Sequence, residues 1–168
     1  MRMLRTLWRD RQGEDLVELV LTLPILLIVV FGILEFGNVL DAGQSMTGLS
    51  REGASIAARG VSLDSVVQVT AANGSNWGLS SRGTVIASRL VVQGGTPMVA
   101  EQRTVGGLGA LSRVGPDGGL ATAWQGGALV DGQTYYVVEV FLPYKPFTPL
   151  RGFVSALIPD TLYERALF

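Results

Sequence analysis

The 168-residue chain has room for one membrane segment and one modest domain, which excludes an arrangement of two large soluble domains. Its net charge of −1 is unevenly distributed, because residues 1–13 carry +3 and the remaining residues carry −4. An acidic remainder offers no general electrostatic attraction to nucleic acid. The sequence contains neither Cys nor His, so disulfides are excluded and the commonest acid–base residue and metal ligand is missing.

A basic leader precedes a long apolar stretch. The leader carries four arginines and ends at Gly13, and a 16-residue apolar run extends from Leu19 to Leu34. As a helix, residues 16–36 would cover roughly 31 Å, about the thickness of a bilayer core. We therefore predict one membrane helix at about residues 16–36. The basic flank predicts a cytoplasmic N-terminus, with the rest of the chain on the far side of the membrane.

Glu18 lies one short turn inside this apolar stretch. An unpaired carboxylate at such a position is costly, so a partner is expected. If the chain is cleaved after Gly13, the freed α-amine of Glu14 is a cation that an axially staggered neighbouring helix would bring to Glu18. The alternative is that Glu18 sits at headgroup level and extends toward water.

These features resemble class III prepilins, and more specifically the TadE-like or TadF-like pseudopilins, or minor pilins, of the tight-adherence (Tad) pilus system. The resemblance rests on the basic leader, Gly13, the glutamate five positions later, Leu23-Pro24, and the segments 32–37 and 51–54. Three C-terminal segments are also similar to this family, at 138–140, 144–146 and 162–166. One departure is that Glu14-Asp15 is doubly acidic, where such mature chains usually begin with small or amide residues.

The resemblance implies that a membrane prepilin peptidase cleaves after Gly13, so that Glu14 begins the mature chain, and that Glu18 sets the assembly register. It implies a bacterial inner-membrane protein with a single pass, a cytoplasmic N-terminus and a periplasmic C-terminal domain, which becomes extracellular once the pilus is assembled. The implied partners are other Tad pilins and pseudopilins, the inner-membrane assembly platform and membrane lipid. No cofactor is implied.

Several residues of the predicted helix bear on how it packs. Pro24 removes one backbone hydrogen bond, which is compatible either with a functional bend or melted turn or with a neutral kink. Gly32 and Gly37 would allow other helices to approach closely. The helix is expected to continue to Arg59 and to end at Gly60.

An apolar stripe marks the outer part of this helix. Its members recur at spacings of three and four residues: Val39, Ala42, Met46, Leu49, Gly53 and Ile56. The stripe is compatible with packing against the chain's own C-terminal sheet and with packing against other subunits.

Residues 61–168 are predicted to form an exported domain with a small, mostly antiparallel sheet, which makes the fold class α+β and pilin-like. Strands are expected at 84–92, 134–142 and 162–168, with the second at the centre, and one or two helical turns at 63–69. Ten glycines between Gly94 and Gly127 predict loose surface loops that connect short strands.

The last predicted feature is an amphipathic helix that follows Thr148-Pro149 and ends before Pro159. It would cover the sheet or the outer part of the long helix; the alternative is that it lies on the membrane surface, although Arg151 is its only basic residue.

Catalysis is disfavoured because His and Cys are absent and the exported carboxylates are scattered singly along the sequence. The function implied by the resemblance is structural: a pseudopilin that takes part in assembling a Tad-type pilus for surface adhesion. The alternative is an uncleaved, single-pass membrane anchor that carries an exported binding domain.

Overall fold

The computed structural model describes residues 11–122, 129–149, 152 and 158–168, with backbone alone for residues 11–14. The helical elements are α1 (Arg11–Ala58), α2 (Leu63–Asn73), a 3-10 turn (Ser75–Trp77) and α3 (Leu79–Arg82). The strands are β1 (Thr84–Gln93), β2 (Thr96–Gly106), β3 (Thr134–Pro143) and β4 (Thr161–Leu167). A long apolar helix followed by a small antiparallel sheet confirms the predicted α+β fold.

The chain divides into two compact units. One comprises Met1–Asn38 with Pro146–Ile158, and the other comprises Val39–Lys145 with Pro159–Phe168. Helix α1 contributes residues to both units, and its interior includes Pro24. It ends where the sequence predicts, because Gly60 adopts a φ of +89° and its N–H bonds the carbonyl of Ala57 at 3.0 Å.

The second unit contains the four-stranded sheet, in the order β2-β1-β3-β4. All neighbouring strands are antiparallel, and β3 lies between β1 and β4, so the strongest strand of the sequence is central. Strands β1 and β2 form a hairpin whose two turn residues, Gly94 and Gly95, have φ values of +59° and +75°. Positive φ at both positions is the geometry of a tight hairpin turn, which glycine adopts without strain.

The first face of the sheet packs on α1 and α2. Buried residues of α1, among them Ala42 and Met46, join Val66 of α2 and Val138 of β3 in one apolar cluster. Helix α1 approaches α2 and β3 closely at Gly53, where a Cβ atom would lie 2.7 Å from Thr70 Oγ1 and 3.3 Å from the Val138 side chain. The buried part of α1 is wider than the predicted stripe, because three more small residues are buried: Ser50, Ala54 and Ala57.

The second face of the sheet is covered by residues 107–122, which follow β2. Val114 and Ala121 of this segment pack with Leu90, Val99 and Val137 in a second buried cluster. The prediction of loose loops connecting short strands was wrong for the described part of the glycine-rich region. That region contains the 11-residue strand β2, and the segment after β2 is held by hydrogen bonds and apolar contacts.

The predicted amphipathic helix falls almost entirely on residues outside those that the structure describes. The leader up to Asp10 does as well.

Candidate membrane and assembly segment

The N-terminal part of α1 is apolar and uncovered. From Leu16 to Val30 its large aliphatic side chains are between 41 and 67% exposed, and its most apolar 18-residue window contains no buried residue. Core helices of soluble proteins bury such side chains, because apolar surface is driven out of water. By length and composition, this helix could cross a membrane.

Glu18 is exposed on this apolar helix. Within the part of the chain that the structure describes, its carboxylate takes part in no hydrogen bond or ion pair. Only its backbone carbonyl is engaged, since it accepts a 2.7 Å hydrogen bond from Thr22 Oγ1. Gly13 and Glu14, the expected processing site, lie in the first turn of α1. The described residues therefore supply the Glu18 side chain with no partner from its own chain.

The predicted packing residues of α1 differ in their surroundings. A Cβ atom built on Gly32 or Gly37 would meet no described residue within 4 Å, so the packing of the described residues requires a glycine at neither position. Helical conformation continues through Pro24. No described residue fills the space beside either glycine.

The four apolar residues predicted to pack further along α1 belong to the second unit. Met46 is buried in the cluster on the first face of the sheet, and Leu49 and Ile56 are partly buried against it. Val39 is half-buried and lines an open groove of about 590 Å³ beside Leu40, Gly43 and Leu162. Most of this predicted stripe is therefore used by the chain itself.

Glu35 is a residue that the sequence reasoning did not single out. It is only 1% exposed, although it ends the apolar run, and one of its carboxylate oxygens accepts a 3.2 Å hydrogen bond from the backbone N–H of Thr148. Thr148 is also buried, and its Oγ1 has no hydrogen-bond partner among the described residues. Glu35 was visible in the sequence as the second glutamate bracketing the run, but nothing local indicated its partner.

Glu139 is a second buried carboxylate, at the centre of β3 and fully shielded from solvent. It accepts hydrogen bonds from Ser112 Oγ, from the backbone N–H of Arg113 at 2.9 Å and from the Tyr163 hydroxyl at 2.9 Å. The guanidinium of Arg113 lies 4.3 Å from the centre of the Tyr163 ring. Burial raises the pKa of Tyr163 above its ordinary value, and the charge of Glu139 and the hydrogen bond to it act in the same direction.

The arrangement suits packing and membrane insertion. Across the described ranges, no group of three or more Asp, Glu, His or Cys side chains is placed to hold a metal ion.

The fold and the uncovered helix define a class of protein in which one membrane-length helix is attached to a small α+β domain. Within that class, residues 13–55 match the sequence model of the TadE-like protein family, which confirms the resemblance. The match begins at Gly13 and includes Glu18 and Pro24. The match associates this part of the chain with the Tad pilus. No curated protein and no solved structure matches the chain significantly.

Proposed function

We propose that this chain is a structural pseudopilin, or minor pilin, that takes part in assembling a Tad-type (type IVc) pilus for surface adhesion. One observation carries the proposal: the TadE-like match starts at Gly13 and covers an exposed apolar helix whose Glu18 has no partner within the described chain. A helix with this composition needs lipid before assembly and other helices afterwards.

The subunit is stored in the bacterial inner membrane as a single-pass protein. The arginines of the leader favour a cytoplasmic N-terminus, which leaves the C-terminal domain in the periplasm and later on the pilus. Prepilin peptidase cleaves after Gly13 and creates a new α-amine on Glu14. The further partners are other Tad pilins and pseudopilins, the assembly platform and membrane lipid.

Glu18 sets the register of the subunit against its neighbours. A lone carboxylate inside an apolar environment costs several kcal/mol, whereas a paired one is neutralised by its counter-ion. The α-amine of a neighbouring mature subunit supplies that counter-ion when the two helices are axially staggered. The open space beside Gly32 and Gly37 supports close approach of the neighbouring helix.

The test replaces Glu18 with Gln and measures how much of the chain is recovered with sheared pili. Glu18→Gln keeps the size of the side chain and removes its charge, so we expect processing to continue and recovery with pili to fall at least tenfold. Glu52→Gln is the matched control, because Glu52 is an exposed glutamate on the same helix with no hydrogen bond or ion pair among the described residues.

Equal recovery of the Glu18→Gln variant and the unmodified chain would contradict the register role. If the chain also stayed uncleaved in the membrane, the alternative of a single-pass anchor with an exported binding domain would replace the pilus function.

A further inference from the structure

Residues 107–122, here called the strap, lie across the second face of the sheet. The strap has two limbs, 107–115 and 116–122, which are held in different ways. The second limb is bonded to the edge of β2, since Val99 donates to the carbonyl of Gly119 at 2.8 Å and Gly118 donates to the carbonyl of Val99 at 2.9 Å. Ala121 donates to the carbonyl of Pro97 at 3.0 Å. Backbone pairing with a strand therefore fixes this limb.

The first limb is held near its two ends by hydrogen bonds, and Glu139 attaches its middle. Leu108 donates to the carbonyl of Gly83 at 3.1 Å, Thr122 of the second limb donates to the carbonyl of Val114 at 2.8 Å, and Gln102 Nε2 donates to the carbonyl of Gly115 at 3.1 Å. Oε2 of Glu139 accepts from Ser112 Oγ, and Oε1 accepts from the backbone N–H of Arg113 at 2.9 Å. Ser112 Oγ in turn accepts from the backbone N–H groups of Val114 and Gly115 at 3.1 and 3.4 Å. One buried carboxylate thus organises four consecutive residues of the limb.

Charged and titratable groups surround this attachment. Tyr163 of β4 donates to Oε1 of Glu139 at 2.9 Å, and Arg165 is the residue opposite Glu139 in the pairing of β3 with β4. The guanidinium of Arg113 lies over the rings of Tyr163 and Phe141, at 4.3 and 5.8 Å from their centres. Both carboxylate oxygens of Glu139 thus face hydrogen-bond donors, and the nearby side-chain charges of Arg113 and Arg165 are positive.

We propose that Glu139 is a latch that closes the first limb over the sheet, and that this limb opens separately from the second limb when the carboxylate is neutralised. A glutamine keeps nearly the same volume but removes the negative charge and one of the two acceptor oxygens, so the charge-assisted hydrogen bonds that hold the limb are weakened. Opening uncovers Phe141 and Tyr163. Val114 leaves the cluster on the second face, whereas the strand pairing and the cluster on the first face include no residue of the limb and stay folded.

The test is residue-resolved hydrogen exchange on the full chain in detergent, comparing Glu139→Gln with the unmodified protein. We expect the amides of Arg113, Val114 and Gly115 to exchange at least about tenfold faster in the variant, as for local opening. The amides of Gly118 and Ala121 should keep their rates. Asp117→Asn is the matched control, because Asp117 is an exposed carboxylate of the same strap with no hydrogen bond among the described residues.

Two results would overturn the latch. One is unchanged exchange of the first limb in Glu139→Gln, and the other is equal acceleration of both limbs and β3, which would make Glu139 a general core residue. Should Glu139→Gln fail to fold, Ser112→Ala removes the attachment from the side of the strap and leaves the sheet intact. In that variant the amides of Val114 and Gly115 should exchange faster, while the other amides keep their rates. If the exchange rates of these two amides are unchanged, the proposal is refuted.

Discussion

A carboxylate oxygen of Glu35 accepts a hydrogen bond from the backbone N–H of Thr148, a residue 113 positions later in the chain. Both residues are buried, and the two atoms lie 3.2 Å apart. The bond joins the C-terminal end of the apolar run to the short segment that follows β3. A glutamate that looks like a simple boundary of the membrane segment therefore holds a distant part of the chain in place.

Replacing Glu35 with Ala should release the segment around Thr148. The substitution leaves a buried N–H without its acceptor, which costs roughly 1–3 kcal/mol. The expected result is faster hydrogen exchange at the amide of Thr148 and earlier proteolytic cleavage nearby. Glu52→Ala, an exposed substitution on the same helix, should change neither measurement. Unaltered exchange at Thr148 in the Glu35 variant would show that the hydrogen bond does not hold the segment.

Replacing Gly53 with Ala should destabilise the second unit. The added methyl group would lie 2.7 Å from Thr70 Oγ1, which is too close for carbon and oxygen, so the buried Thr70 side chain or the helices themselves must shift. Overpacking of this kind costs about 1–3 kcal/mol and outweighs the gain in helix propensity of about 1 kcal/mol. Denaturant unfolding in detergent, followed by circular dichroism, measures the difference.

Gly43→Ala is the matched control for that substitution. A Cβ atom at Gly43 meets nothing within 4 Å, so only the gain in helix propensity applies and stability should rise slightly. The same sign of change in both variants would contradict the close contact at Gly53.

Alkaline pH should weaken the domain through Tyr163. Its pKa is raised in the folded protein, mainly by burial and then by Glu139, so the unfolded chain releases the phenolic proton at lower pH than the folded chain. The stability that depends on the protonated phenol is therefore complete below its ordinary pKa of 10.0 and is lost as the pH rises beyond it.

Measurements of the unfolding free energy between pH 8 and pH 11 test this effect of Tyr163. Because one phenol titrates, the unfolding free energy can fall by at most about 1.4 kcal/mol per pH unit. Tyr163→Phe should be less stable than the unmodified protein at pH 8. Above pH 10 its unfolding free energy should decline less steeply. Tyr136→Phe should keep the full decline in unfolding free energy, because the Tyr136 hydroxyl makes no hydrogen bond among the described residues. A decline that is identical in all three proteins would exclude Tyr163 as its source.

Elements with a strong local pattern could be predicted from the sequence. The apolar run and the stripe after it predict α1, and the alternation from Tyr136 to Leu142 predicts β3 and its central position. Strand β2 was missed because Pro97 and three charged or amide residues conceal its alternation. The pair Gly94-Gly95 directly after β1 is a hairpin signal that would have located β2.

The buried carboxylates could not be located in the same way. Glu35 and Thr148 are 113 positions apart, and Glu139 and Ser112 are 27 apart, so each contact depends on tertiary structure. The alternation of β3 places Glu139 on the face opposite Tyr136. That face is buried because the strap covers it. The burial of Glu139 therefore depends on the strap. The sequence of the strap has no repeating pattern from which its position could be predicted.

The N-terminal residue of the mature chain tests the pilus account most directly. Intact-mass measurement and N-terminal sequencing of the membrane-extracted protein should find Glu14 as the first residue in cells with an active prepilin peptidase, and Met1 in cells without it. A chain that begins at Met1 in both would lack the α-amine that Glu18 requires. That result would contradict assembly through this helix.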